Sequence, residues 1–202
     1  MAILTDELKQ YFQSLIDSPI HDWEILENLL VKKSIKKGDH FFRHFDSCKD
    51  LALVSSGLFR IYLIDNEGEE KTFSFISERG FILDFFLSWD SSPSMVSVQA
   101  LEDSEIYTIN INQFKQVMAL STSWSKIYKE VLLRNYMRKT KREIEFVLYN
   151  AKDRLIKCTE SKYLDINRIP KTYLASYLGI AAPSLSRLLR DLKENPKEVD
   201  HE

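Results

Sequence analysis

The residues best suited to chemistry lie near the C-terminus, in RIPKTYLASYLGIAAPSLSRLLRDLKEN from Arg168 to Asn195. Leu185, Leu188, Leu189 and Leu192 recur at helical spacing and form one side of a short helix, leaving Ser184, Ser186, Arg187 and Arg190 outward or at its margin. Serine hydroxyls with arginine guanidinium groups suit the major groove of double-stranded DNA, where an arginine fork can bond guanine O6 and N7 together. Arg187 is the expected guanine contact. Spacing alone also allows an ordinary helical hairpin whose Arg187 is merely solvated.

Those side chains need two helices meeting at a sharp turn. Leu174, Ala175 and Leu178 form the inner side of a first helix beginning near Lys171, and the small Ala175 lets a second helix approach. Gly179 can end the first helix in the left-handed conformation without a Cβ penalty, Ile180 drops between the helices, and Pro183 fits a first helical turn from Ala182 onward.

Ahead of this pair the pattern changes twice. From Thr5 to Val31, Leu8, Tyr11, Phe12, Leu15, Ile16, Trp23, Leu26, Leu29 and Leu30 follow the spacing of short amphipathic helices. From Lys33 to about Ile111, β-rich runs such as DLALVSS, LFRIYLI and EKTFSFI are divided by Gly38, Gly57, Gly68 and Gly80, an all-β meander of sandwich or small-barrel type. NEGEE reads as the hairpin turn between two of these strands. Helical spacing returns at Gln113 and continues from Trp124 to about Cys158 as one long helix. Along it Ile127, Val131, Leu132 and Tyr136, then Ile144, Val147 and Leu148, flank the polar block Arg138 to Glu143. Such a helix serves either as an intradomain core helix or as a seam for a second copy of the chain.

Composition narrows the function. With 202 residues, 44% hydrophobic and 29% charged, the chain is globular and long enough for two modest cores. No apolar run reaches the roughly 18 residues of a membrane span, and the N-terminus lacks a signal-peptide pattern, so a cytoplasmic location without membrane contact is expected. The net charge of −2 requires any DNA contact to come from a local basic surface. Cys48 and Cys158 lack metal-ligand spacing and are read as reduced and structural. No phosphate-cradling glycine loop, metal-spaced His/Glu pair or nucleophile motif is present, so neither a catalytic residue nor a metal site is expected and the chain is not read as an enzyme.

In order and spacing, KSIKKGDHFF, LVSSGLFRIYLIDNEGEEKTFSF, QALEDSEIYTI, AKDRL and LASYLGIAAPSLSRLL together resemble the Crp/Fnr family of bacterial transcription regulators, from Lys33 to Lys193. The resemblance implies an α+β chain with an N-terminal cyclic-nucleotide-binding-type, jelly-roll-like β-barrel, a long dimerisation helix and a C-terminal helix-turn-helix of winged-helix type. It implies a sensor domain over residues 1–120, a dimerisation helix over 121–150 and a DNA-binding domain over 151–202. The implied partners are double-stranded DNA, a second copy through the helix around residues 124–150, and RNA polymerase. Arg187 matches the family's guanine-reading arginine and Lys171 falls among its phosphate contacts. The expected DNA-binding set is Lys171, Thr172, Ala182, Ser184, Ser186, Arg187 and Arg190.

Departures from the family pattern matter for the sensor. In GFILDFF, Leu83 and Asp84 replace the glycine and glutamate that hold a cyclic nucleotide's ribose; in SPSMVSVQA, Ser94 and Met95 replace the arginine and small hydroxyl residue that hold its phosphate. Serine cannot replace a charge-assisted arginine contact, so cyclic AMP is not expected to bind. The degenerate effector pocket would comprise Phe81, Leu83, Asp84, Ser94 and Met95. An apolar lining including Phe85 and Val96 would suit another small effector or simply fill the core. Two cysteines are too few for a cluster of the usual four ligands, and His21, His40 and His44 are haem-ligand candidates by type alone, so neither iron–sulfur cluster nor haem is expected. The tail NPKEVDHE leaves no room for a full wing, and Ala182 and Pro183 stand where relatives carry a polar base-reading pair. The competing expectation is an effector-sensing or scaffold protein that has lost DNA binding.

Overall fold

A computed structural model describes residues 4–83, 93–161 and 163–194. Two antiparallel four-stranded sheets face each other. One has the order β1-β8-β3-β6 and the other β2-β7-β4-β5. The strands are β1 (Val31–Ile35), β2 (His40–Phe42), β3 (Asp50–Ser56), β4 (Phe59–Ile64), β5 (Glu70–Ile76), β6 (Phe81–Ile82), β7 (Ser97–Ala100) and β8 (Ser104–Asn110). Ala52, Val54, Phe59, Ile82, Val98 and Ile106 fill the space between the sheets. Leu51 and Leu53, alternating with them, face outward. They are buried there by helices, which explains why β3 reads as a continuous apolar run rather than an alternating one.

Those helices are α1 (Asp6–Gln13), α2 (Trp23–Glu27), α3 (Ile111–Leu120) and the start of α4 (Thr122–Leu148). Ser121 caps α4 by accepting from the Trp124 N–H at 3.1 Å. Trp124 is 1% exposed and packs edge-on against Phe12 and Trp23. Trp124, Ile127 and Val131, at helical spacing, fasten this half of α4 to the barrel. Past Val131 no residue of α4 is buried, and the helix continues as an arm.

The long helical stretch is two helices, not one. Asn150 is extended and accepts from the N–H groups of Lys152 and Asp153, starting α5 (Ala151–Thr159) after a break at Tyr149. An asparagine that caps a new helix ends the periodicity without a glycine or proline to announce it. A short 3-10 turn (Ile166–Arg168) then leads into α6 (Lys171–Leu178) and α7 (Ala182–Glu194). Leu155, Ile169, Leu174, Ala175, Leu178 and Leu185 form a core that includes Leu58, Phe75 and Leu101 of the barrel. The helical pair is thus packed on the outer face of the second sheet.

Candidate nucleic-acid interface

Gly179 ends α6 at φ +70°, and the Ile180 N–H donates to the Ala175 carbonyl at 3.0 Å, which closes the turn. A Cβ at Gly179 would sit 3.3 Å from the Phe146 ring of α4, so glycine is required by conformation and limited by space. Pro183 lies in the first turn of α7, where Ser184 and Leu185 donate to the Ala181 carbonyl. Leu185 is fully buried, with Leu188, Leu189 and Leu192 packed beside it.

The opposite side of α7 is open. Ser186, Arg187 and Arg190 are exposed, and Ala182 and Ser184 half-buried. The Ser186 hydroxyl donates to the Ala182 carbonyl at 3.1 Å, which holds its oxygen at the surface as an acceptor. Lys171 and Thr172 are exposed at the start of α6, where no side chain caps the first N–H groups. Such a helix start is suited to a phosphate oxygen.

Among the described residues, Phe81 and Leu83 lie apart from Ser94 and Met95. Phe81 and Leu83 pack outward, against the cluster beneath the N-terminal helices; the Phe81 and Phe12 rings lie 6.0 Å apart. β6 pairs with β3 so that Ile82 points between the sheets and Phe81, its neighbour, away from them. Ser94 is 1% exposed, but its hydroxyl donates to the Val96 carbonyl and accepts from the Val96 N–H. Met95 is 52% exposed. Asp84 and Phe85 lie outside the described residues. An apolar cavity of about 60 Å³ lies between the outer face of the first sheet and α1 to α4; Phe81 and Leu83 line it together with Leu53, Tyr107, Trp124 and Ile127.

His40 Nε2 is 2.9 Å from the Tyr62 hydroxyl, and burial lowers its pKa. Both cysteines are free, and burial pushes the Cys158 thiol up to about 11. Among the described residues no three His, Cys, Asp or Glu side chains gather to hold a metal. No described helix is long and apolar enough to cross a membrane.

Sequence reasoning missed the residues that seat α6 and α7. Arg60 of β4 is fully buried, its guanidinium stacked between Tyr62 at 4.2 Å and Tyr173 of α6 at 3.8 Å, with Nη2 donating to Glu70 at 2.6 Å. Its lone charge within the apolar run LFRIYLI was the available signal. Arg168 bonds Glu78 and Glu102 with four contacts of 2.8–2.9 Å. These carboxylates raise the Arg168 pKa, and the Arg168 fork holds Glu78 down at about 2. Arg142 and Arg154 reach from α4 and α5 to the Tyr177 and Leu178 carbonyls at 3.2 and 2.9 Å.

On the arm of α4, Leu133, Met137, Ile144, Val147 and Leu148 are each 50–84% exposed. Met137 and Ile144 also line a groove of about 400 Å³ with Tyr136, Thr140 and Tyr149. Ile127 and Val131 belong to the chain's own core, so the exposed stretch of α4 begins beyond them.

Residues 32–121 match the cyclic nucleotide-binding domain family. The chain is 24% identical to the anaerobic regulatory protein of Bacillus subtilis, over 89% of this chain and 79% of that protein. It is 25% identical to the fumarate and nitrate reduction regulatory protein of Yersinia pestis, over 84% of this chain and 72% of that protein. The structure of FixK2 from Bradyrhizobium japonicum superposes with a TM-score of 0.68 at 14% identity, covering 83% of this chain and 86% of that one. The chain thus matches the cyclic nucleotide-binding domain family over residues 32–121, and its fold is similar to that of FixK2.

Proposed function

We propose that the chain is a homodimeric transcription regulator that binds specific DNA sequences with α7 and does not respond to cyclic AMP. The observation that carries this reading is the two-sidedness of α7: a leucine face locked in the core, and Ser186, Arg187 and Arg190 on the exposed face. A helix anchored on one side and offering serine and arginine on the other fits the major groove. Lys171 and Thr172 would hold a phosphate beside it, with Ala182 and Ser184 at the groove's margin. Dimerisation would use the exposed stripe of α4, bringing two copies of α7 to successive grooves of a palindromic site. Residues 1–120 would form the sensor, 121–150 the dimer arm and 151–202 the DNA-binding domain, working in the cytoplasm.

The absence of a cyclic AMP response is supported by the apolar filling between the sheets and by Ser94, whose hydroxyl is engaged with its own turn. A small apolar effector would find the cavity beneath the N-terminal helices better matched than the space between the sheets.

The test begins by selecting DNA with the wild-type chain from a random library. Arg187→Ala should then cost about 1–3 kcal/mol on the selected site and relax the preference at one base pair. Affinity should fall steeply as salt rises. Equal losses on selected and random DNA would leave Arg187 as a phosphate contact and remove base reading from the proposal.

A further inference from the structure

Among the described residues β5 is the edge of its sheet, with backbone groups that no neighbouring strand pairs. Helix α6 covers that edge. The Thr72 N–H donates to the Ser176 hydroxyl at 2.9 Å, and the same hydroxyl donates to the Glu70 carbonyl at 3.5 Å. On one side of this contact stands the stacked column Tyr62–Arg60–Tyr173. Arg168, just ahead of α6, grips Glu78 and Glu102, and beside them the Ser77 hydroxyl donates to the Tyr163 carbonyl at 3.2 Å. Barrel and helical pair therefore meet through a shared apolar core and two arginine clamps.

The clamps do not obstruct the surface assigned to DNA. Tyr173 and Ser176 face the barrel, whereas Lys171, Thr172, Ser186, Arg187 and Arg190 remain exposed while α6 is seated. A contact that shut off DNA binding by masking would bury some of those side chains. What seating α6 does determine is the direction of α7, because Leu174, Ala175 and Leu185 make α6 and α7 one packed unit. In a two-fold dimer, both recognition helices must meet their grooves together, so a free hinge between barrel and helical pair would dilute the gain from the second contact.

We propose that Arg60 and Arg168 are positioning residues: they clamp α6 to the barrel edge and so set the direction in which α7 is offered to DNA. This rests on the DNA-binding reading above and adds what holds the reading helix in place. Arg60 carries the apolar side of the clamp. Its charge is covered by Tyr173, and its Nε and Nη1 have no hydrogen-bond partner among the described residues, so it depends on the two rings and Glu70. Arg168 carries the ionic side.

The experiment compares the full-length chain with Arg60→Ala/Arg168→Ala, and with Glu78→Gln/Glu102→Gln, which disturbs only partly exposed groups and keeps the barrel core. Two readouts are taken. Hydrogen exchange at the Thr72 amide reports seating directly, since its acceptor belongs to α6. Binding is measured to the palindrome selected by the wild-type chain and to the same DNA with one half scrambled.

Both variants should speed Thr72 exchange by about tenfold or more. They should lose about tenfold or more on the palindrome while changing by less than about threefold on the half-scrambled DNA. Unchanged Thr72 exchange would show that the arginines do not seat α6. Faster exchange with unchanged or tighter palindrome binding would show that seating does not position α7. Wild-type chain that binds no DNA would refute the DNA-binding reading and the positioning role together, while exchange at Thr72 would still report whether the clamps hold.

Discussion

Replacing Ile144 with glutamate puts a carboxylate in the middle of the exposed stripe on α4, and two-fold symmetry would bring two such charges into one apolar seam. Fully burying an aliphatic side chain of this size is worth about 1.5–3 kcal/mol. Ile144 is already half covered, at 50% exposed, so pairing of two arms would gain about 1 kcal/mol from it in each copy. The variant loses that gain and must leave two carboxylates in the seam without partners, at about 1 kcal/mol or more each. Together these amount to roughly 4 kcal/mol, or about three decades in the dimer dissociation constant. Sedimentation velocity across a concentration series reads this directly, with circular dichroism showing that the fold is retained. Ile144→Leu is the control and should remain dimeric. A wild-type chain that sediments as a monomer throughout, or an Ile144→Glu chain that dimerises as the wild type does, would refute the seam.

The turn glycines and the Arg168 clamp carry further expectations. Gly57 has φ +105°, and a Cβ there would lie 2.9 Å from the backbone Cα of Ser104, whereas Gly68, at φ +84°, has nothing within 4 Å. Gly57→Ala should therefore cost about 2–3 kcal/mol in urea unfolding and Gly68→Ala about 1 kcal/mol; equal losses would count against a steric role for Ser104. Glu78 ionises at about 2 in the folded chain against an ordinary value of 4.5, because Arg168 bonds its carboxylate. A depressed carboxylate stabilises fully above about pH 4.5, and that contribution fades as pH falls toward 2. Glu78→Gln should flatten the acid side of the stability profile in that window, and a profile parallel to the wild type would exclude the pair as a source of acid sensitivity.

Local order was readable where it depends on near neighbours. The turn at Gly179, the NEGEE hairpin between β4 and β5, and the leucine face of α7 follow from glycine's access to positive φ and from helical period. Reading failed at Tyr149 and Asn150, where a side-chain cap divides one apparent helix, and pattern did not show that Phe81 and Leu83 line a cavity on the first sheet's outer face. Alternation states that neighbouring strand residues face opposite ways, but it does not say which face is the inside when both are covered.

By itself the chain's pattern determined the order of its strands and the group of serine and arginine side chains left on the exposed side of α7, because period, turn residues and motif spacing act over a few positions. Where that group sits was settled by contacts such as Thr72 with Ser176, which are 104 positions apart. Periodicity marks a surface as apolar or charged without naming what will cover it. The burial of Arg60 beneath Tyr173, and the limit at Val131 between the part of α4 that serves its own core and the part left free, arise from the three-dimensional packing of barrel, arm and helical pair.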